Sequence, residues 1–412
     1  MGFGLRSFLE FLELERLQLK LDATTGKVTK DKQMLVLRGL NFWQYAILAV
    51  LAPFLPLYFA GQGYTSSQVG FLMMIGPFVA SLVQPIWGYI SDRLRTVKVI
   101  IFILWLIAIL CSVGLFYVSS GYVGTLCFVL GLYFFFQPSM PLMDSISVQS
   151  ATKRGSSYGS LRLFGSIGYT LISLTGGTLL VLFGGINKLP YLLWAVWLVP
   201  LLLLFFLKDE PAEGAGITFG ALRKLFMDKS FLWFLLLVFL MAVPHRMNDV
   251  MLGLYMKDLG ASDSMVGWAW ALAAIVEVPV FALLGKHLHK VHEFTLIGLV
   301  GLVYTLRWFM YYVTDEPWVL LGLQAGAAVT FAVFWLVAMH YVARVLPPEL
   351  GATGFSLLSM VYLGLAGMAG GLIGGTISDS YGGASMYLFA AFASLLAGVL
   401  FLVTEVRRRR KV

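Results

Sequence analysis

Two halves of the sequence repeat each other at an offset of 197 residues. The segment at 57–70, LYFAGQGYTSSQVG, aligns without a gap with LYMKDLGASDSMVG at 254–267, and each half contains six long apolar runs. Duplicated membrane bundles of this kind bind solutes where the repeats meet and expose that site alternately to the two sides of the membrane. The repeat therefore predicts a two-half membrane bundle and makes a transporter the first hypothesis.

The composition agrees with a membrane protein, because 59% of the residues are apolar and only 12% are charged. Each apolar run is long enough to cross about 30 Å of hydrocarbon as a helix. Helices are required there because no water is present to satisfy open backbone groups. We predict an all-α membrane protein with twelve transmembrane helices in two pseudo-symmetric six-helix halves. The predicted spans are 41–61, 68–91, 97–118, 121–149, 157–184, 189–207, 230–257, 264–286, 293–313, 317–343, 352–378 and 383–405.

The positive charges predict the orientation. When the loops are assigned alternately, one side holds about 24 of the 29 Lys and Arg residues, and the loops of the other side hold only Lys188 and Lys257. The positive-inside rule therefore places both termini in the cytoplasm, in a multi-pass cell membrane. Because the net charge of +8 follows from this topology, we expect no nucleic-acid partner. The basic tail is expected to contact anionic lipid headgroups.

The predicted organisation has five parts: a cytoplasmic N-terminal extension at 1–38, a first half at 39–207, a cytoplasmic linker at 208–229, a second half at 230–406 and a basic tail at 407–412. Within the extension, LRSFLEFLELERLQLKL is too charged to span a membrane. It is either an amphipathic helix on the inner leaflet or the product of an over-long gene start.

The motifs of enzymes, metal sites and nucleotide sites are missing from the sequence. Cys111 and Cys127 both fall in apolar spans, where they fit buried small side chains better than a disulfide or a metal pair. We find no zinc spacing, phosphate-binding loop or nucleophile elbow. The sequence therefore predicts neither an enzyme nor a pump that hydrolyses ATP, and we expect no cofactor and no bound metal.

Ionisable residues inside the apolar runs carry the functional prediction, because they are costly in a membrane and usually face a partner or a wet cavity. Three acids match three bases, as burial demands. We expect Asp144 and Arg162 to meet, since the sequence places them at similar depths on adjacent spans. The alternative is that Arg162 reaches toward the headgroups while Asp144 lies near the interface. The six residues are Asp144, Arg162, Arg246, Asp249, Glu277 and Arg307.

The sequence around Arg162, RLFGSIGY (162–169), resembles the fifth-helix motif of lactose permease and its relatives in the major facilitator superfamily. In that family an acid eighteen positions earlier pairs with the arginine, both bind sugar hydroxyls, and an aromatic residue stacks on the sugar ring. The resemblance assigns these substrate-binding roles to Asp144, Arg162 and Tyr169. Aspartate in place of the family's glutamate shortens the reach by one methylene. The chain also resembles the phenylpropionate-permease-like branch of this superfamily.

The resemblance extends to the second half. Glu277 matches the family's eighth-helix acid, which binds galactosyl hydroxyls, and Arg307 matches the ninth-helix arginine, which assists proton release. In the tenth helix, where the family carries its proton on a glutamate after a histidine, this chain has Gln324 and Ala327. The family's proton site is therefore missing.

A substitute proton carrier is predicted among the remaining acids. Glu277 is the first candidate and Asp249 the second, since each is close enough to a possible arginine counter-charge. Neutralising a buried acid changes which conformation tolerates it, so protonation can bias alternating access. The alternative is that Arg246 and Asp249, three residues apart on one helix face, form a static structural pair.

The loop GYISDRLR (88–95) resembles the superfamily's signature loop between the second and third helices, apart from a missing second glycine. The gating role falls on Gly88, which permits close helix contact, and on Asp92, which can pair with Arg93 or cap the N-terminus of a neighbouring helix. A copy, GGTISDSYGG (374–383), lies on the opposite side and has no basic residues, so we expect it to be a turn without a gating role.

Together these features favour a monomeric secondary active transporter that carries a small polar solute, such as a sugar, oligosaccharide or glycoside, with a proton by symport. An importer of aromatic or other organic acids remains open, because an arginine such as Arg162 also clamps carboxylates. A proton-coupled drug exporter remains open as well, although the span at 157–184 lacks the proline that an antiporter stretch usually carries.

Overall fold

The computed structural model describes residues 32–209, 228–284, 292–346 and 354–409, apart from residues 155, 157 and 356. Within this part of the chain every regular element is helical. The helices are Lys32–Gly61 (α1), Ser66–Leu94 (α2), Lys98–Val113 (α3), Gly121–Phe136 (α4), Ser139–Lys153 (α5), Tyr158–Leu182 (α6), Leu189–Phe206 (α7), Lys229–Asp258 (α8), Asp263–Leu284 (α9), Glu293–Val313 (α10), Pro317–Leu323 (α11), Phe331–Val345 (α12), Ala366–Tyr381 (α13) and Gly383–Arg409 (α14).

Eleven helical segments of the described residues are long and apolar enough to cross a membrane. Helices α4 and α5 belong to one such segment, and α11 and α12 to another. The 22-residue helix α9 occupies the place of the predicted eighth span without being one of the eleven. The predicted all-α membrane architecture is confirmed, and a twelve-helix arrangement is compatible with it.

The boundaries of the polar segments differ in detail from those predicted. Helix α1 begins at Lys32, upstream of the span expected from residue 41. Most of the predicted extension (1–31), most of the linker (210–227) and the end of the tail (410–412) lie outside the described residues. The division into five parts therefore stays a prediction.

The two ends of the linker each cap a helix. Asp209 accepts hydrogen bonds from the backbone N–H groups of Val97 (3.0 Å) and Lys98 (3.2 Å) at the start of α3. Asp228 accepts from the backbone N–H groups of Ser230 (2.8 Å) and Phe231 (3.2 Å) at the start of α8. A carboxylate there satisfies N–H groups that have no partner within the helix and complements its positive end. Both halves are thus anchored where the linker leaves and enters them.

Among the described residues, the halves meet mainly through two helix pairs, α2 with α13 and α6 with α9. The first pair approaches as closely as backbone allows: a methyl group added at Gly70 would lie 2.2 Å from the carbonyl oxygen of Gly371. Small residues permit this approach between membrane helices, where packing replaces the hydrophobic effect. Because Gly70 stands one turn into α2, the halves are closed at the end of the bundle where α2 begins.

Within the first half, α6 packs along α1. A methyl group added at Gly168 would lie 2.1 Å from the carbonyl oxygen of Phe42. The last glycine of the RLFGSIGY motif is therefore needed for helix contact. That contact holds the rest of α6, including Arg162, against α1.

We expect Gly168→Ala to lower stability by about 1–3 kcal/mol, because the added methyl group meets backbone that cannot move aside. The measurement is the apparent unfolding temperature of the detergent-solubilised protein, followed by the loss of its monodisperse chromatographic peak on heating. Gly322→Ala is the matched control, since no atom lies within 4 Å of a methyl group added there. Equal unfolding temperatures for the two variants would contradict the assignment.

Candidate functional site

A cavity of about 810 Å³ lies between the two halves. Helices α1 and α6 form one wall. The other wall comes from α8, α9, α10 and α12, from the 3₁₀ helix before α12 and from the π helix before α13. Six predicted site residues line it: Arg162, Tyr169, Arg246, Asp249, Glu277 and Arg307. Asp144 is not among the lining side chains. The cavity therefore collects most of the buried charges at the interface between the repeats.

Arg162 stacks on an aromatic ring of the neighbouring helix. Its guanidinium carbon lies 3.8 Å from the ring centroid of Tyr45, a cation–π arrangement. The ring and the guanidinium can both fit because residue 165 is glycine: a methyl group there would lie 2.5 Å from the Tyr45 ring. With one face covered by Tyr45, Arg162 keeps its in-plane N–H groups for other partners.

The expected direct contact between Asp144 and Arg162 is not present in this conformation. No nitrogen of Arg162 lies within 4.0 Å of an Asp144 carboxylate oxygen. Instead, the Tyr158 hydroxyl donates to Asp144 Oδ1 at 2.8 Å. Tyr158 lines the cavity, whereas Asp144 lies behind it. The prediction was wrong about direct contact because a tyrosine hydroxyl satisfies the carboxylate first.

Sequence reasoning missed both tyrosines. Tyr158 had one available signal, since it precedes Arg162 by four residues and so shares its helix face. Tyr45 had none that separates it from the many other aromatic residues of the apolar spans.

Arg246 and Asp249 form a direct ion pair within α8, with Nη1 and Oδ2 2.5 Å apart. His245 extends the cluster: its Nε2 lies 3.6 Å from Asp249 Oδ1, and its Nδ1 lies 3.1 Å from the Tyr304 hydroxyl. The imidazole also stacks on Phe331, with ring centroids 5.0 Å apart. The pair is thus held in a network that reaches α10 and α12. This geometry is compatible with a static pair and with a proton carrier.

Arg307 is buried, with 5% of its surface exposed, and binds neutral partners. It donates to the side-chain oxygen of Gln324, to Thr330 Oγ1 at 2.9 Å and to the Tyr311 hydroxyl at 3.3 Å. Among the described residues no carboxylate oxygen lies within 4.0 Å of its nitrogens. Gln324, noted in the sequence only as a departure from the family, is therefore a ligand of this arginine.

Two partners of Arg307, Gln324 and Thr330, belong to a break in the tenth apolar segment. Between α11 and α12, residues Gln324–Ala328 form a 3₁₀ helix. The Gly326 carbonyl accepts from the Thr330 backbone N–H at 2.9 Å and from its hydroxyl at 2.8 Å. Irregular backbone at membrane depth is tolerated where it is buried in protein or lines a cavity. Arg307 packs against this break at Gly326 and donates hydrogen bonds to the side chains of Gln324 and Thr330.

Glu277 differs from the other cavity acid. It is half-buried in α9 and lines the cavity, yet no side chain or backbone group of the described residues donates a hydrogen bond to it or lies in ion-pair distance. The Tyr169 hydroxyl, on the opposite wall, also has no hydrogen-bond partner in the described part of the chain. These two groups keep their hydrogen-bonding capacity for what enters the cavity.

The predicted gate residues lie at the end of α2. The side chain of Asp92 is outside the described residues, and Arg93 is exposed. At Gly88 no described atom lies within 4 Å of an added methyl group, so the close helix contact expected there is not made in this conformation. The gating assignment stays a prediction.

The copy of the motif at 374–383 is a helix end and not the turn that we expected. Asp379 lies in the last turn of α13 and accepts from the backbone N–H groups of Ser66 (2.8 Å) and Ser67 (2.8 Å). The Ser67 hydroxyl donates to the same carboxylate at 2.5 Å. A carboxylate from one half thus caps the positive N-terminal end of α2 in the other. This contact secures the closed end of the bundle.

Comparison with known proteins places these observations in a family. Residues 34–389 match the MFS_1 like family. The chain belongs to this family. The MFS_1-like chain is a major facilitator transporter and a multi-pass membrane protein, as the sequence motifs predicted, and it is not an enzyme. Secondary transport of small molecules follows from the same membership.

The chain is similar to two curated relatives and to one solved structure. Maltose permease of Geobacillus stearothermophilus is 26% identical over 380 residues, which cover 90% of this chain and 93% of that protein. The probable 3-phenylpropionic acid transporter of Escherichia coli (strain K12) is 26% identical over 310 residues, covering 73% and 79%. The crystal structure of nucleoside transporter NupG aligns with a TM-score of 0.79 at 17% identity, covering 90% and 98%, a likeness of fold.

We expect Asp379→Ala to shift the conformational equilibrium of the MFS_1-like chain toward the state open at the α2 N-terminus. A charge at an exposed helix end contributes about 0.3–1 kcal/mol, so the open-to-closed ratio should rise roughly two- to fivefold. Spin labels at Gln62 and Tyr381, one in each half, report the opening as a distance distribution. The background carries Cys111→Ser and Cys127→Ser.

Asp315→Ala is the control for this experiment. Asp315 is an exposed acid in the loop between α10 and α11, and its carboxylate makes no hydrogen bond or ion pair with the first half among the described residues. If the two variants give the same distance distribution as the parent, Asp379 does not hold the halves together.

Proposed function

We propose that the chain is a proton-coupled symporter of a small, neutral, polar solute of the sugar or glycoside class, working by alternating access in the cell membrane. The observation that carries this proposal is the interface cavity with Arg162 and Tyr169 on one wall and Glu277 on the other. Hydrogen-bond donors and acceptors therefore face a solute from both halves. The maltose permease relative supports this class of solute.

The charge arrangement favours a neutral solute. Among the described residues, three arginines and two acids line the cavity, and a third acid, Asp144, lies directly behind the wall. Burial of unpaired charge is costly, so a balanced cavity accepts a neutral ligand without leaving a residue uncompensated. Aromatic side chains such as Tyr169 and Trp270 offer ring faces to the C–H groups of a sugar.

Glu277 is our candidate for the proton carrier. Asp249 is held at 2.5 Å by Arg246, so its protonation would break an ion pair, whereas Glu277 has no partner among the described residues. Protonation of Glu277 removes a negative charge from the cavity wall formed by α9, the helix that packs on α6 of the other half. Neutralising this acid changes how readily the two halves close around it.

The direction of opening follows from the predicted topology. If both termini are cytoplasmic, the end closed by Asp379 and by the Gly70–Gly371 approach faces outward. The conformation then belongs to the inward-facing side of the cycle. The missing contact at Gly88, on the cytoplasmic end of α2, agrees with this assignment.

An importer of organic acids is the second candidate. Arg162 and Arg307 line the cavity, and neither has a carboxylate within 4.0 Å among the described residues, so a solute carboxylate would find donors. The 3-phenylpropionic acid transporter relative supports this alternative. An exporter of lipophilic cations fits less well, because three arginines border the cavity.

We expect Glu277→Gln to abolish accumulation of solute driven by a pH gradient while leaving exchange across the membrane measurable, because the variant cannot gain or release a proton. The assay uses the purified protein in proteoliposomes, with radiolabelled maltose and 3-phenylpropionate as probes. Glu316→Gln, an exposed loop residue of the same half, is the control and should accumulate solute as the parent does.

The same assay separates the two candidates. Uptake of maltose and not of 3-phenylpropionate supports the sugar class, and the reverse result supports the acid importer. Arg162→Ala should lower affinity for either probe at least tenfold, since a charge-assisted hydrogen bond contributes about 1.5–3 kcal/mol. Gradient-driven accumulation by Glu277→Gln at the parent's level would reject Glu277 as the carrier.

A further inference from the structure

Tyr158 occupies the place in the cavity wall where Asp144, the predicted substrate-binding acid, was expected. Its side chain lines the cavity, one helical turn before Arg162 on the same face of α6. Its hydroxyl lies 2.8 Å from Asp144 Oδ1, and Asp144 itself does not border the cavity. A solute in the cavity therefore meets the Tyr158 hydroxyl and not the carboxylate behind it.

The hydrogen bond between Tyr158 and Asp144 limits how Tyr158 can bind a solute. A carboxylate accepts only, so the single proton of the Tyr158 hydroxyl is directed at Asp144. What Tyr158 presents to the cavity is its oxygen lone pairs, and the nearby negative charge makes that oxygen a better acceptor. Tyr158 can therefore bind a solute group that donates a hydrogen bond.

Arg162 has the opposite character. Its guanidinium has donors and no acceptor, and the Tyr45 ring at 3.8 Å covers one of its faces. The donors that remain lie in the guanidinium plane. An acceptor and a set of donors thus stand side by side on one face of α6.

We propose that Tyr158 contacts the solute, with Asp144 as a positioning residue behind it, and that Tyr158 and Arg162 form an acceptor–donor pair that selects neutral solutes with adjacent hydroxyl groups over carboxylates. One hydroxyl donates to the Tyr158 oxygen and its neighbour accepts from Arg162. This inference rests on the proposed function, because it specifies how that site recognises a sugar-like solute.

The pair also explains discrimination against an acid. A carboxylate can accept from Arg162, but it has no proton to give to Tyr158, and its charge faces the Tyr158 oxygen with Asp144 directly behind. Sites whose buried polar groups are left unpaired by the wrong ligand discriminate most strongly. Asp144 thus acts through Tyr158, because it makes Tyr158 an acceptor and the solute must therefore supply the hydrogen-bond donor.

The test compares variants of the purified, full-length protein by calorimetric titration with three probes: maltose and uridine, which carry adjacent hydroxyls, and 3-phenylpropionate, which carries a carboxylate. Tyr158→Phe should weaken the binding of a hydroxyl-bearing probe about tenfold, the loss expected for one hydrogen bond. Tyr122→Phe is the matched control, since it removes a tyrosine hydroxyl bound to the Gln68 carbonyl outside the cavity, and should bind as the parent does.

Asp144→Asn supplies a readout that a purely structural role would not move. An amide can donate to the Tyr158 oxygen, which frees the tyrosine proton to point into the cavity. We expect affinity for the hydroxyl-bearing probe to fall and affinity for 3-phenylpropionate to rise, a change of at least tenfold in their ratio. As a second comparison, 2′-deoxyuridine lacks one of the two adjacent hydroxyls of uridine. The Tyr158→Phe substitution should therefore lower the affinity for 2′-deoxyuridine less than the affinity for uridine.

Two results would overturn the inference: a Tyr158→Phe protein that binds the hydroxyl-bearing probe as tightly as the parent, or an Asp144→Asn protein that loses affinity for all probes in equal proportion. Failure of the proposed function is visible in the parent protein instead. A parent that binds 3-phenylpropionate and neither maltose nor uridine rejects the sugar class itself, and the selectivity of Tyr158 with it.

Discussion

The cost of burying charge inside a membrane bundle governs the arrangement of this molecule. A buried ion must be paired or fully hydrogen-bonded, because the surrounding medium offers little solvation. Here neutral groups do much of this work: Tyr45 covers Arg162, Tyr158 satisfies Asp144, and Arg307 is held by the amide and hydroxyl groups around a broken helix. Acids and arginines can therefore share a cavity without all of them collapsing into direct ion pairs.

The same constraint distinguishes the residues that are committed to structure from those that remain available. Arg246 and Asp249 satisfy each other, and His245 ties the pair to two further helices. Glu277 and Tyr169 are positioned on facing walls with their hydrogen-bonding capacity unused by the described residues. A transporter needs both kinds of group, since a solute must displace water rather than a strong internal bond.

Much of the candidate site was predictable from residue types and spacing. Ionisable residues in apolar runs are rare enough to be recognised, and six of the seven predicted binding and coupling residues line one cavity. Pairing was less predictable. Asp144 and Arg162 were expected at similar depths, yet whether they touch depends on the rotation of α5 and α6 and on Tyr158, which donates to Asp144 instead. The role of Asp379 was missed, because a helix N-terminus in the other half is a partner that carries no charged residue to search for.

The sequence by itself determined the helical membrane architecture, the twofold repeat and the family, since hydrophobic length, duplication and local motifs are properties of the chain alone. Tertiary structure decided which charges meet, which stay open to the cavity, and which end of the bundle is closed. Those outcomes depend on contacts of a few ångströms between distant segments, such as Gly70 with Gly371 and Asp379 with Ser66. No local pattern specifies such contacts, because they arise only when two whole helices are rotated and packed against each other.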